Sequence, residues 1–218
     1  MREEFLSAAE KVICASKFIY HRRMVNAYEG NVSVRVGGRL IITPSQVCKD
    51  ELRPIDLVEV DIESEQVLYA AAGRKPSSEV KMHLACYRAR PDVFGVAHAH
   101  PPCATAYAVC AMPIETKAYP EMMLLHGKVP LCGYGRPGTW AVCDDIPGIL
   151  AEYDSFLLAN HGLVSVGKDI MDAVYRLEAV ESIADMLMRA RMLGGEAVLP
   201  DDEVSEIEVL SLKMRGRS

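Results

Sequence analysis

The stretch NVSVRVGGRLIIT, residues 31–43, does more than any other to limit the fold. Polar residues and valine alternate strictly from 31 to 36, the two-residue period of a strand with one covered face. Gly37-Gly38 then supplies the backbone freedom of a tight turn, and residues 39–43 return as the hairpin partner. A hairpin this early implies an antiparallel pair. It argues against a purely parallel sheet, although helical and strand-like segments interleave through the rest of the chain.

Ahead of the hairpin, Phe5, Ala9, Val12, Ile13, Ser16, Ile19 and Tyr20 recur at the spacing of an amphipathic helix. Behind it, residues 57–62 and 65–70 read as strands. SSEVKMHLACYRAR (77–90) reads as a helix with Val80, Leu84 and Tyr87 on one face and a start signal after Pro76. FGVAHAH (94–100) is a strand, and PPCATAYAVC (101–110) is a helix whose prolines suit its first turn. KVPLCGY (128–134) and SFLLANHGLVSVG (155–167) read as buried strands, with a helix near 139–153 between them. The longest helix spans 169–193, opened by Asp169 and stopped by Gly194-Gly195. No repeat, low-complexity tract or linker divides the chain, so residues 1–218 read as a single α/β domain.

With 24 Lys and Arg against 30 Asp and Glu, the net charge of -6 argues against nucleic acid and anionic membrane as general partners. A local basic pocket for a small anion stays compatible with it. Charges interrupt the apolar residues of the N-terminus, so it is neither a secretory leader nor a membrane span, and no later run approaches the roughly 18 apolar residues a span needs. Seven scattered cysteines without C-x-x-C spacing predict free thiols in a reducing cytoplasm.

The chemistry concentrates in VAHAHPP, residues 96–102. Positions two apart project from the same face of a strand, so His98 and His100 present two imidazoles side by side. Such a pair suits a divalent metal, or it is structural and satisfied by backbone carbonyls. A catalytic metal needs a third ligand, and His161 in LLANHGLV is the best candidate because it too ends an apolar run, with Gly162 to turn the chain. His83, one helical turn after Glu79, is either a ligand or a packed helix histidine, while His21 and His126 are flanked like surface residues.

Several shorter motifs have two readings each. EGNVS (29–33) is a turn into a strand or an anion contact through Asn31 and backbone amides, and TPSQ (43–46) offers small hydroxyl residues after a strand. In KPSSE (75–79), Ser77 and Ser78 fall at a helix N-terminus, where they either cap the helix or hold a phosphate, with Glu79 close by. GYGRPG (133–138) fits the dinucleotide pattern G-x-G-x-x-G, but Pro137 interrupts it and a Gly-Pro loop is sufficient. DMLMRARM (185–192) reads as core or interface packing.

The ordered set GNVS, TPS, PSSE, HAH and NHG resembles the class II aldolase/adducin family, most closely its fuculose 1-phosphate aldolase branch, from the first helix to about residue 193. The resemblance implies a three-layer α/β/α domain with a largely antiparallel central sheet, assembled as a homotetramer with active sites between subunits. It implies His98, His100 and His161 as ligands of one Zn²⁺ per subunit, with Glu79 the acid/base that also reaches the metal when substrate is absent. Gly30, Asn31, Ser45, Gln46, Ser77 and Ser78 would hold the phosphate of a small sugar phosphate, and Tyr119 would serve the aldehyde oxygen from the adjacent subunit. The implied reaction cleaves a ketose 1-phosphate to dihydroxyacetone phosphate and a small aldehyde. Metal bound to the carbonyl stabilises the resulting carbanion as an enediolate, so no Schiff-base lysine is required. The sequence departs from the family in having Gln46 where glycine is usual, and in a C-terminal tail without tyrosine.

Other activities use the same scaffold. A sugar-acid phosphate decarboxylase and a methylthioribulose phosphate dehydratase remain open, whereas the epimerase branch has SSD where this chain has Glu79 after Ser77-Ser78. A non-catalytic adducin-like interaction module would lose the metal histidines, all of which this chain retains.

Overall fold

The computed structural model describes residues 3–216. Eight strands run in chain order as β1 (Asn31–Val36), β2 (Arg39–Ile42), β3 (Val58–Asp61), β4 (Val67–Tyr69), β5 (Gly95–Ala99), β6 (Leu131–Cys132), β7 (Ser155–Leu158) and β8 (Gly162–Gly167). They form one sheet in the order β4-β3-β2-β1-β5-β8-β7-β6. Every pairing is antiparallel except β6 with β7 at one edge. The expected hairpin is present, with Val36 opposite Arg39 across Gly37-Gly38.

The helices are α1 (Glu3–His21), α2 (Val80–Ala89), α3 (Pro102–Val109), α4 (Pro120–Leu125), α5 (Ile146–Leu150), α6 (Ile170–Met192) and α7 (Asp201–Met214). Strand alternation sorts the core into two layers. Val32, Val34, Ala97, Ala99, Leu157 and Leu163 pack with α1, α3 and α6. Residues of opposite parity, such as Val96, Phe156, Val164 and Val166, pack with α2 and α5. The sheet is thus covered on both faces, as a three-layer α/β/α arrangement requires. By the same parity His98 and Asn31 point to the α2 side, and they face one another directly across β1 and β5. The starts of β1 and β8 and the finish of β5 meet at one end of the sheet, because β5 runs antiparallel to both neighbours.

Asp169 caps α6 by accepting the backbone N–H of Asp172 at 2.9 Å, a contact worth about 1 kcal/mol. Four expectations need correction. The helix near 139–153 is a 3₁₀ turn at Trp140–Cys143 followed by the short α5, because Asp144-Asp145 and Pro147 break the run. Strand 128–134 contracts to β6, and strand 65–70 contracts to β4 after Glu65 turns with a φ of 61°. Helix 77–90 starts only at Val80, so Ser77–Glu79 form its lead-in turn. The DMLMRARM stretch places Leu187 in the core and leaves Met186, Met188 and Met192 exposed on this chain.

The tail forms α7, whose start after Pro200 carries Asp201, Asp202 and Glu203, a favourable arrangement at a helix N-terminus. No helix among the described residues is long and apolar enough to cross a membrane.

Candidate active site

His98 is the penultimate residue of β5, His100 follows the strand just before Pro101, and His161 lies in the turn joining β7 to β8. That turn presses against the histidine pair. A Cβ on Gly162 would stand 2.6 Å from both the Ala99 carbonyl and His100 Cδ2, so only glycine permits the approach. The three rings converge with centroids 4.7–5.0 Å apart, and one potential ligand atom from each lies within 4.8 Å of the others.

Hydrogen bonding fixes which nitrogens are available. His98 Nδ1 is 3.0 Å from the Leu163 carbonyl, which can only accept, so the proton resides on Nδ1 and Nε2 presents a lone pair. His100 Nδ1 faces the Glu29 carboxylate at 3.5 Å, which assigns its Nε2 likewise. The two Nε2 atoms are 3.0 Å apart. Two lone pairs at that separation repel rather than bond, and a cation shared between them removes the conflict. His161 Nδ1 is also buried without a hydrogen-bond partner.

Burial keeps all three rings neutral, lowering His98 and His100 and bringing His161 to about 4, with neighbouring histidines adding to the effect on His98 and His161. Neutral imidazole is the metal-binding form. Three nitrogen donors of this kind fit a borderline ion such as Zn²⁺.

Glu79 shares the cavity but lies outside this three-histidine cluster. Its backbone N–H bonds Ser77 Oγ at 3.3 Å, while carboxylate Oε2 is buried and unpartnered. Desolvation raises its pKa and a backbone hydrogen bond from Gly138 opposes the rise. The glycine loop at 133–138 therefore reaches the site through Gly138 and Pro137, although it holds no dinucleotide-type helix.

The other wall is built by two loops docked together. Ser45 N–H donates to Lys75 O at 3.0 Å and Ser77 N–H to Thr43 O at 3.2 Å, joining TPSQ to KPSSE. The resulting cavity of roughly 230 Å³ is lined by Gly30, Asn31, Ser45, Gln46, Ser77 and Ser78 together with Glu79 and the three histidines. Gln46 adopts a φ of 56°, the left-handed conformation that glycine would take without strain. Gly30, at φ 70°, tolerates no side chain because Val25 Cγ1 would sit 2.4 Å from its Cβ.

His83 is the packed helix histidine. Fully buried, it donates from Nε2 to Asn31 Oδ1 at 2.6 Å, and its Nδ1 lies 2.7 Å from Ser33 Oγ, which in turn meets Tyr87 Oη at 2.8 Å. The relay fixes the carbonyl end of Asn31 and leaves its N–H donors for the cavity. Tyr119 is the N-cap of α4 and does not line the cavity of its own chain. His21 is exposed as expected and pairs with Asp50 at 3.0 Å. His126 is instead buried, with its pKa lowered to about 4, because Arg215 at the end of α7 folds over the His126-Gly127 backbone.

Sequence reasoning missed three titratable residues of the cavity wall, Tyr28, Glu29 and Lys49. The position of Glu29 directly before Gly30-Asn31 was a usable signal, whereas nothing in the polar run around Lys49 announces its burial to 1 % exposure.

Residues 10–188 match the family model described as Class II Aldolase and Adducin N-terminal domain, and the chain belongs to that family. It is 33% identical over 178 residues to the 5-methylthioribulose-1-phosphate/5-deoxyribulose-1-phosphate aldolase of Rhodospirillum rubrum, covering 82% of this chain and 79% of that one. It is 31% identical over 215 residues to the 3-oxo-tetronate 4-phosphate decarboxylase of Pectobacterium atrosepticum, covering 95% and 94%. Among solved structures, an L-fuculose 1-phosphate aldolase superposes with a TM-score of 0.84 at 27% identity, over 93% of this chain and 95% of that one.

Proposed function

We propose that the chain is a zinc-dependent lyase that cleaves a ketose 1-phosphate, either L-fuculose 1-phosphate or a 5-deoxy-pentulose 1-phosphate, to dihydroxyacetone phosphate and a small aldehyde. The observation that carries this reading is the set of three neutral imidazoles, two with lone pairs opposed at 3.0 Å, in one cavity with a buried and half-unpartnered carboxylate.

His98, His100 and His161 would hold one divalent ion, with Glu79 as a further ligand when substrate is absent. Bound there, the ion would supply Lewis-acid stabilisation of negative charge beside the substrate carbonyl. The protein does the rest. Gly30, Asn31, Ser45, Gln46, Ser77 and Ser78 orient the phosphate end. As the bond between the third and fourth carbons breaks, the hydroxyl on the aldehyde side loses its proton and the electron pair stays on the ketone side. Glu79 then protonates that carbon to give dihydroxyacetone phosphate, and its raised pKa suits a carboxyl that must both hold and give up a proton. Tyr119 of a neighbouring subunit of a homotetramer would relay the hydroxyl proton, accepting it as its own phenolic proton passes to solvent. Seven free cysteines support a reducing, cytoplasmic setting.

A second reading has a specific support: the relative named a 3-oxo-tetronate 4-phosphate decarboxylase aligns over 95% of the chain. Loss of carbon dioxide from such an acid also leaves a carbanion beside a carbonyl, and Glu79 would protonate it. One experiment separates the two. Metal-loaded and chelator-stripped protein are compared for dihydroxyacetone phosphate release from fuculose 1-phosphate and 5-deoxy-ribulose 1-phosphate, and for carbon dioxide release from 3-oxo-tetronate 4-phosphate. Chelator-sensitive dihydroxyacetone phosphate is the expected result. Carbon dioxide without it establishes the decarboxylase, and neither product from metal-loaded protein contradicts both.

A further inference from the structure

Lys49 lies in the loop between β2 and the 3₁₀ turn Pro54–Asp56, and it is among the largest fully buried side chains of the molecule. It lines the histidine cavity, where it is the only lysine or arginine among the described lining residues. An ammonium carries three donors, and the hydrogen bond found for this one runs from Nζ to the Val47 carbonyl at 3.2 Å. No ion pair between Lys49 and a carboxylate occurs among the described residues. A buried charge without a counter-charge is costly, and a site that keeps one does so where an anion arrives to match it. Desolvation draws the Lys49 pKa down to about 8, which still leaves the ammonium protonated at neutral pH.

The surrounding donors are all neutral. Ser45, Ser77, Ser78 and Asn31 can orient phosphate oxygens, but none offsets a double negative charge, and Glu29 and Glu79 on the same wall oppose one. We propose that Lys49 is the cationic anchor for a phosphate monoester dianion, selecting phosphorylated substrates over the corresponding unphosphorylated hydroxy acids and polyols. The inference rests on the sugar-phosphate reading of the cavity.

The test compares 2-phosphoglycolate with glycolate, two probes that differ only in the phosphate, by calorimetric titration of metal-loaded protein. The native protein should prefer phosphoglycolate. Lys49→Met should weaken phosphoglycolate by roughly 10–100-fold, the loss expected for a hydrogen bond to a charged group, with glycolate affinity and metal content unchanged. Native-like phosphoglycolate binding by Lys49→Met overturns the role of Lys49 while leaving the phosphate site standing. Absence of any preference in the native protein overturns the sugar-phosphate reading and this inference together.

If Lys49→Met fails to fold, the native protein is titrated at about pH 8.5 in buffers of different ionisation enthalpy. An arriving dianion should refill the ammonium and draw net proton uptake beyond that seen with glycolate. The glycolate control subtracts the effect of the carboxylate on the other titratable groups of the wall, Tyr28, Glu29, Glu79, His98, His100 and His161, together with the adjoining Cys48. The same pair of titrations at about pH 7, where Lys49 is already protonated, gives the contribution of those groups to the response to the dianion. Equal uptake with both probes overturns the proposal.

Discussion

Two groups of histidine, the buried His83 and a cluster of buried His98 with half-buried His100 and His161, lie beside one sheet and behave as opposites. His83 is sealed between Asn31 and Ser33, with both ring nitrogens hydrogen-bonded and Tyr87 completing the relay. His98, His100 and His161 converge on one another, with two Nε2 atoms opposed at 3.0 Å and His161 Nδ1 unpartnered. Burial keeps both groups neutral, so charge does not distinguish them. Satisfaction does. A histidine whose nitrogens are both answered by the protein holds the fold together, and one whose lone pair faces another lone pair awaits a ligand.

Replacing Glu79 should have the largest effect on turnover, because it removes the proton carrier and leaves both histidine groups in place. Glu79→Gln should retain bound metal and thermal stability while kcat falls by about 10²–10⁴, read from steady-state kinetics beside metal analysis. His161→Ala should leave the fold intact and weaken metal binding by more than the roughly 10–100-fold that loss of an outer partner costs, as measured by chelator competition. His83→Ala should do the reverse. Metal affinity survives, and stability falls by about 2–4 kcal/mol in denaturant unfolding, because Asn31 and Ser33 lose their partner and a cavity opens.

Acid should expose the sealed histidine as well. Burial lowers the His83 pKa to about 3, so the folded state refuses a proton that the unfolded chain accepts near 6.5. The stabilisation is fully present above that unfolded value and is lost as pH falls from there toward 3, at about 1.4 kcal/mol per pH unit for one such group. Unfolding measured against pH should show a shallower slope in His83→Gln than in the native chain. The smallest effect is expected at Glu29, whose carboxylate is partly exposed and 3.5 Å from His100 Nδ1. Glu29→Gln should loosen the metal by about 10-fold without altering the fold.

The sequence disclosed these regions unequally, for physical reasons. Strand parity is local, so the shared face of His98 and His100 and the hairpin at Gly37-Gly38 were legible from a few letters. His161 was legible because a histidine ending an apolar run needs Gly162 only if the backbone must approach something. Whether His83 was ligand or packing depended on Asn31 and Ser33, about fifty residues away, and no periodicity reports that. The burial of Lys49 and His126 depends on loops and on α7 folding over them, and the contact of Gly138 with Glu79 joins segments that share no pattern. The short α4 and the broken helix after Gly138 were lost because they are set by tertiary docking more than by their own hydrophobic period.

Catalysis at this site requires first that the three converging imidazoles bind an ion. Chelator-stripped protein titrated with Zn²⁺, followed by calorimetry and by metal analysis after gel filtration, tests that most directly. One ion per chain, lost in His98→Ala and retained in His83→Gln, is the predicted result. No retained ion in a folded native chain, or equal retention in His98→Ala, would contradict it.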